Sequence, residues 1–160
     1  LNRSFESVLR FVNLTTAGLL AGSLGFGEAA LVPGWREELP RNPKQRPMEA
    51  LKALDYFNAI GPVALASAVT LAVGAGSREK AGKRLLDTAT ALGLAGVLAA
   101  TVMVTVPINR KLETQPASDY PSDQSQNMVR SWARAHAVRT TLGIGAFLCA
   151  VASNLSGEKK

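Results

Sequence analysis

LGLAGVLAATVMVTV, residues Leu92 to Val106, is the stretch whose reading decides the fold. It contains only glycine, alanine, threonine, methionine and aliphatic residues. A helix packed on one side of a soluble core carries polar residues along its opposite face. This stretch is apolar all round, so it reads as a helix surrounded by protein and lipid. It lies within a longer uncharged run, Thr88 to Asn109. About 20 mostly apolar residues suffice to cross a bilayer as a helix.

Three other segments share this character. Val12 to Val32 holds one charge, Glu28, whereas Phe57 to Gly76 and Thr140 to Gly157 hold none. The 160-residue chain therefore reads as a single all-α domain, an integral membrane four-helix bundle. The expected helices span about residues 11–32, 48–73, 85–106 and 126–154, with Pro33-Gly34 and Pro107 as stops and a kink at Gly61-Pro62. The first run is too long for a signal-peptide core and is read as a retained helix. Trp35 is expected at headgroup level.

Composition excludes several functions. The formal charge is +6, but basic residues lie beside apolar runs and no aromatic-interleaved basic motif points to nucleic acid. The lone Cys149 permits no intrachain disulfide. No phosphate-binding loop, dinucleotide fingerprint or nucleophile motif occurs. Short connections favour antiparallel neighbours in an up-down-up-down order. Four basic residues crowd Arg78 to Arg84, which favours cytoplasmic N- and C-termini. Gly18, Gly22, Gly25 and Gly27 give the first helix a small-residue face suited to close helix contact.

The antiparallel order brings four helix ends to one membrane face. They carry Glu28, Asp55 with Asn58, Asn109, and Trp132 with His136 and Arg139. The opposite face shows no comparable set inside its apolar runs. An ionisable group in a membrane helix is costly and should face the bundle and find a partner, here His136 or Arg139 for Glu28. Each residue also has a plain role: an ion pair for Glu28, an interfacial imidazole for His136, a belt anchor for Trp132, a helix-end bond for Asn109 and interhelical glue for Asn58. Their convergence on one face favours a polar pocket with an apolar floor. His136 with Glu28 would supply acid–base catalysis. Asn58, Asn109, Trp132 and Arg139 would bind substrate, the polar groups stabilising a developing oxyanion.

No HxxxH, ExxH or CxxC spacing supports a metal centre, and a single histidine excludes bis-histidine haem. No cofactor is expected, although one-histidine haem or a metal at His136, with Glu28 and Asp55, stays compatible with the sequence.

The segments TVPINRK (Thr105 to Lys111) and WARAHAVRT (Trp132 to Thr140), with the glycine-rich first helix ending in Glu28 to Pro33, resemble the anthrone oxygenase-like family of small four-helix membrane proteins. The resemblance extends over nearly the whole chain and implies a place in a bacterial inner membrane. It implies oxidation of an anthrone to an anthraquinone by molecular oxygen without an obvious cofactor, a base removing a C–H proton first. It carries over to Asn109, Trp132, His136 and Arg139, and less directly to Glu28. The expected activity is that of a membrane monooxygenase, an oxidoreductase acting on an apolar aromatic or quinone-like molecule. The alternative is a non-catalytic accessory or scaffold subunit of a larger membrane complex or homo-oligomer. A cavity lined by His136 would favour the enzyme, and a closed core the accessory subunit.

Overall fold

A computed structural model describes residues 2–34, 48–74, 81–114 and 122–156. Trp35, the 75–80 loop and the 115–121 connection lie outside the described residues, as do the side chains of residues 48–55, Asp55 among them. Among the described residues every element is helical and no strand occurs. Four helices are long and apolar enough to cross a membrane.

Helix α1 runs Arg3–Phe26 and continues through a π-helical turn, Gly27–Leu31, as far as Gly34. It starts earlier than the apolar run because Asn2 caps it, its side chain accepting from the Ser4 N–H at 3.1 Å. Helix α2 spans Met48–Gly74 and is unbroken at Pro62. Helix α3 spans Ala81–Ala100, passes through a second π-helical turn, Thr101–Thr105, and resumes over Val106–Thr114. Helix α4 spans Ser122–Leu155.

Pro107 does not stop its helix where the sequence suggests, since α3 continues to Thr114, whereas α1 is described as far as Gly34, within the expected Pro33-Gly34 stop. Each proline follows a π-helical turn at an identical interval, with one valine between. A proline lacks an N–H for the carbonyl four residues back, and its ring clashes with that carbonyl. A five-residue step offers that carbonyl the N–H beyond the proline. The N–H of Val32 bonds to the Gly27 carbonyl and that of Val106 to the Thr101 carbonyl, both five residues back. The widened turn thus carries α3 through Pro107.

Packing is by small residues. The buried centre joins Leu20 and Leu24 of α1, Ala64 and Ala68 of α2, Ala91, Leu94 and Val97 of α3, and Ala146 of α4. The closest approaches lie along α4. A Cβ on Gly93 would come 2.9 Å from the Ala146 Cβ, and one on Gly143 would come 2.9 Å from the Leu24 Cδ1. Large apolar side chains point outward instead, among them Phe11, Leu92, Met103 and Leu148. This distribution suits a lipid surround, where tight backbone approach rather than hydrophobic burial joins helices.

The expected glycine face of α1 is corrected in part. Gly18 lies against the Phe147 ring and Gly27 against His136, but nothing stands within 4 Å of a Cβ at Gly22 or Gly25.

A second correction concerns the end of the bundle where α1 begins. Asp87 of α3 is buried there and accepts from both terminal nitrogens of Arg10, at 3.2 and 3.1 Å, and from the Ser153 hydroxyl. Glu6 accepts from Arg10 at 2.8 Å and from Lys83 at 2.9 Å. Asn13 donates to the Ala64 carbonyl and to the Ser67 hydroxyl. The sequence reading missed this network because Arg10 and Asp87 lie just outside the uncharged runs. It ties α1, α3 and α4 together, and its polar groups bond to one another.

Candidate functional site

Toward the other end, the C-terminal parts of α1 and α3 and the N-terminal halves of α2 and α4 surround a cavity of about 580 Å³. Its polar side chains come mainly from α3 and α4. Thr101, Thr105 and Asn109 line it from α3, and Trp132, His136 and Arg139 from α4. The π-helical turns contribute Gly27, Leu31, Thr101 and Thr105, so both widened segments form cavity wall. Phe26, Tyr56 and Phe57 complete an apolar side.

His136 is 5% exposed and held on three sides. Its ring stacks on Trp132, one helical turn earlier, with centroids 5.0 Å apart and planes 4° from parallel. Its Nε2 lies 3.2 Å from the Leu24 carbonyl oxygen. A carbonyl can only accept, so Nε2 carries the proton and Nδ1 of the neutral ring is left bare. Nδ1 is buried without a hydrogen-bond partner. The third constraint is Gly27, where a Cβ would stand 2.8 Å from Nε2. The Leu24 carbonyl sits at the junction between α- and π-helix, where it shares the Gly27 N–H with the Ser23 carbonyl. It also accepts from the Thr140 hydroxyl at 3.3 Å.

Arg139 is equally enclosed, at 4% exposure. It donates to the Thr105 hydroxyl at 3.0 Å, and its guanidinium carbon lies 5.6 Å from the Phe57 ring centre. Those are favourable contacts for a cation. Among the described residues no carboxylate pairs with it, and its Nε is buried without a partner. A buried cation lacking a counter-ion is a ready receptor for an anionic or strongly polar oxygen.

The structure thus brings Asn109, Trp132, His136 and Arg139 onto one cavity. Glu28 lies next to Gly27 but does not line that cavity. It makes no ion pair with His136 or Arg139, and its Oε2 is buried without a hydrogen bond. Asn58 is exposed and does not line the cavity, although the neighbouring Phe57 does. Among the described residues no three His, Cys, Asp or Glu side chains converge as a metal site would require.

Several site residues were not singled out by the sequence. Thr105 lay within a quoted motif but was read as apolar helix, and Phe57 as the start of a span. Gly27 was read as one of a set of helix-contact glycines. The sequence signals available were the two Val-Pro pairs, Val32-Pro33 and Val106-Pro107, inside or at the end of apolar runs, and a threonine, Thr105, at the bundle end that also carries Arg139.

The chain belongs to the anthrone oxygenase family, whose family model matches residues 52–149. That match covers α2, α3 and most of α4, with Asn109, Trp132, His136 and Arg139, whereas α1 lies outside it. No curated protein and no solved structure matches the chain.

Proposed function

We propose that this member of the anthrone oxygenase family is a membrane oxygenase that converts an apolar, anthrone-like aromatic to its quinone. The observation that carries the reading is the Nδ1 of His136, buried without a hydrogen-bond partner, in a cavity shared with the Arg139 guanidinium, which pairs with no carboxylate among the described residues. The substrate's ring system lies along Trp132, Phe26 and Phe57, and its carbonyl oxygen takes hydrogen bonds from Arg139 and Asn109. Removal of a proton from the methylene opposite that carbonyl leaves an enolate, whose oxygen bears the charge. Arg139 and Asn109 stabilise it, while His136 Nδ1 takes the proton.

Dioxygen then attacks the carbon. One oxygen atom becomes the new carbonyl, the other leaves as water, and both methylene hydrogens are removed. The four electrons lost by the carbon are those that dioxygen gains. Glu28 supports the transient imidazolium through space without touching substrate. No cofactor is required in this scheme. The protein would act in a bacterial inner membrane with both termini cytoplasmic. An accessory or scaffold role, alone or in an oligomer, is less favoured because the bundle end holds an open cavity.

The test is quinone formation from anthrone under air by the purified protein in lipid vesicles, measured against protein-free vesicles. His136→Gln should lower the rate about a hundredfold, as loss of a general base does, with the protein still folded. Glu28→Gln should lower it less, and the two changes together should be non-additive. Turnover in His136→Gln equal to wild type would remove the base assignment. No turnover above background in the wild type would leave the accessory role ahead.

A further inference from the structure

The residues around the cavity are not equally enclosed. From α3 and α4, Thr105, Asn109, His136 and Arg139 are buried, and Thr101 and Trp132 are half-buried. The exposed lining residues all belong to the other two helices: Gly22 and Phe26 on α1, and Tyr56 on α2. Phe26 is 64% exposed and Tyr56 38% exposed. Both lie in segments apolar enough to be in the hydrocarbon. Gly22 and Phe26 are one turn apart, so they mark a continuous strip of α1. Nothing stands within 4 Å of a Cβ at Gly22, so this part of the wall is open.

From this asymmetry we infer that the cavity is entered sideways from the lipid, between α1 and α2 past Gly22, Phe26 and Tyr56, by an apolar aromatic molecule dissolved in the bilayer. The inference rests on the cavity being the substrate site. It also gives Gly22 a reason: a side chain there would stand in the doorway rather than in a helix contact. An aromatic substrate passes its rings between Phe26 and Tyr56 and leads with its polar oxygen toward Arg139. A molecule already in the lipid reaches the buried cation without leaving the bilayer.

The experiment follows alizarin, a planar dihydroxyanthraquinone, entering the protein in phosphatidylcholine vesicles. Quenching of Trp132 fluorescence reports arrival, in a Trp35→Phe background. Gly22→Leu is compared with Gly25→Leu, one turn of the same helix away, equally open but not lining the cavity. The expected result is association slowed about tenfold or more in Gly22→Leu, as when binding must await a conformational opening, and unchanged in Gly25→Leu. Diluting alizarin with extra lipid at constant total concentration should slow association in the wild type. Equal rates in Gly22→Leu and Gly25→Leu, or a rate indifferent to added lipid, would overturn the lateral route while leaving the site intact. Absence of quenching in the wild type would overturn the site reading and the route together.

Discussion

Gly27 on α1 and His136 on α4 approach so closely that a single methyl group between them has no room. A Cβ at Gly27 would lie 2.8 Å from Nε2 and 2.9 Å from Cε1 of the imidazole. The glycine therefore allows the Nε2–H to reach the Leu24 carbonyl and leaves Nδ1 as the bare nitrogen. Gly27→Ala should push the ring off that carbonyl and cost about 1–3 kcal/mol, the range for overpacking. Thermal unfolding in detergent would show this as a lowered midpoint, with Gly25→Ala near wild type. Equal midpoints in the two variants would mean that the imidazole yields freely, and the tautomer argument would fail.

Thr105 is the only hydroxyl that accepts a hydrogen bond from Arg139 among the described residues. Thr105→Val keeps the shape and removes the acceptor. It should destabilise the protein by about 1–3 kcal/mol because a buried donor loses its partner. Thr105→Ser should restore most of the loss. The comparison of unfolding midpoints separates lost hydrogen bonding from lost packing. If Ser behaves like Val, the methyl group matters and the hydrogen bond does not.

The four helices were legible because their uncharged runs leave few alternatives. The positions of His136, Trp132, Asn109 and Arg139 on one wall were legible too, from helical spacing and from the order of the helix ends. The helix boundary at Pro107 was not. Proline is read as a stop under the four-residue ladder, and only a local five-residue ladder makes it tolerable. Arg10 and Asp87 were missed for a different reason. Runs chosen for lacking charge cannot reveal charges that pair just beyond their ends. Glu28 was expected to pair with Arg139 or His136 because all three share a bundle end, but proximity along the axis does not fix the distance across it. Asn58 lies off the cavity for a similar reason: one residue along a helix is about 100° of rotation, and Phe57 takes the inward position.

The two prolines make the π-helical turns testable. Pro107→Ala supplies the missing N–H and removes the ring, so the α-helical ladder can close through residues 101–105. That rotates Thr105 relative to Asn109 and withdraws one of them from the cavity. Helix content by circular dichroism should be unchanged, while alizarin quenching of Trp132 weakens. Unchanged affinity would show that the turn persists without its proline and owes its shape to packing.

The network at the far end provides the last prediction, because it should separate stability from ligand binding. Arg10 is clamped by Asp87 and Glu6, and the Asp87 carboxylate is buried with Ser153 against it. Removing one member of a buried ion pair leaves the other charge uncompensated, which costs about 3–5 kcal/mol. Asp87→Asn keeps the volume and several hydrogen bonds but strips the counter-charge from Arg10, so its effect should be at the lower end of that range. Ser153→Ala should cost less, since Arg10 still satisfies the carboxylate. Both sites lie at the opposite end of the bundle from His136, with no shared partners, so effects at the two ends should add. The measurement is unfolding in detergent together with alizarin affinity, for Asp87→Asn alone and combined with Thr105→Val. Additive losses of stability, with affinity lowered only by the Thr105 change, are the expected outcome. A fall in affinity from Asp87→Asn alone, in protein that remains folded, would mean that the two ends are coupled through α3 and that the far network belongs to the site.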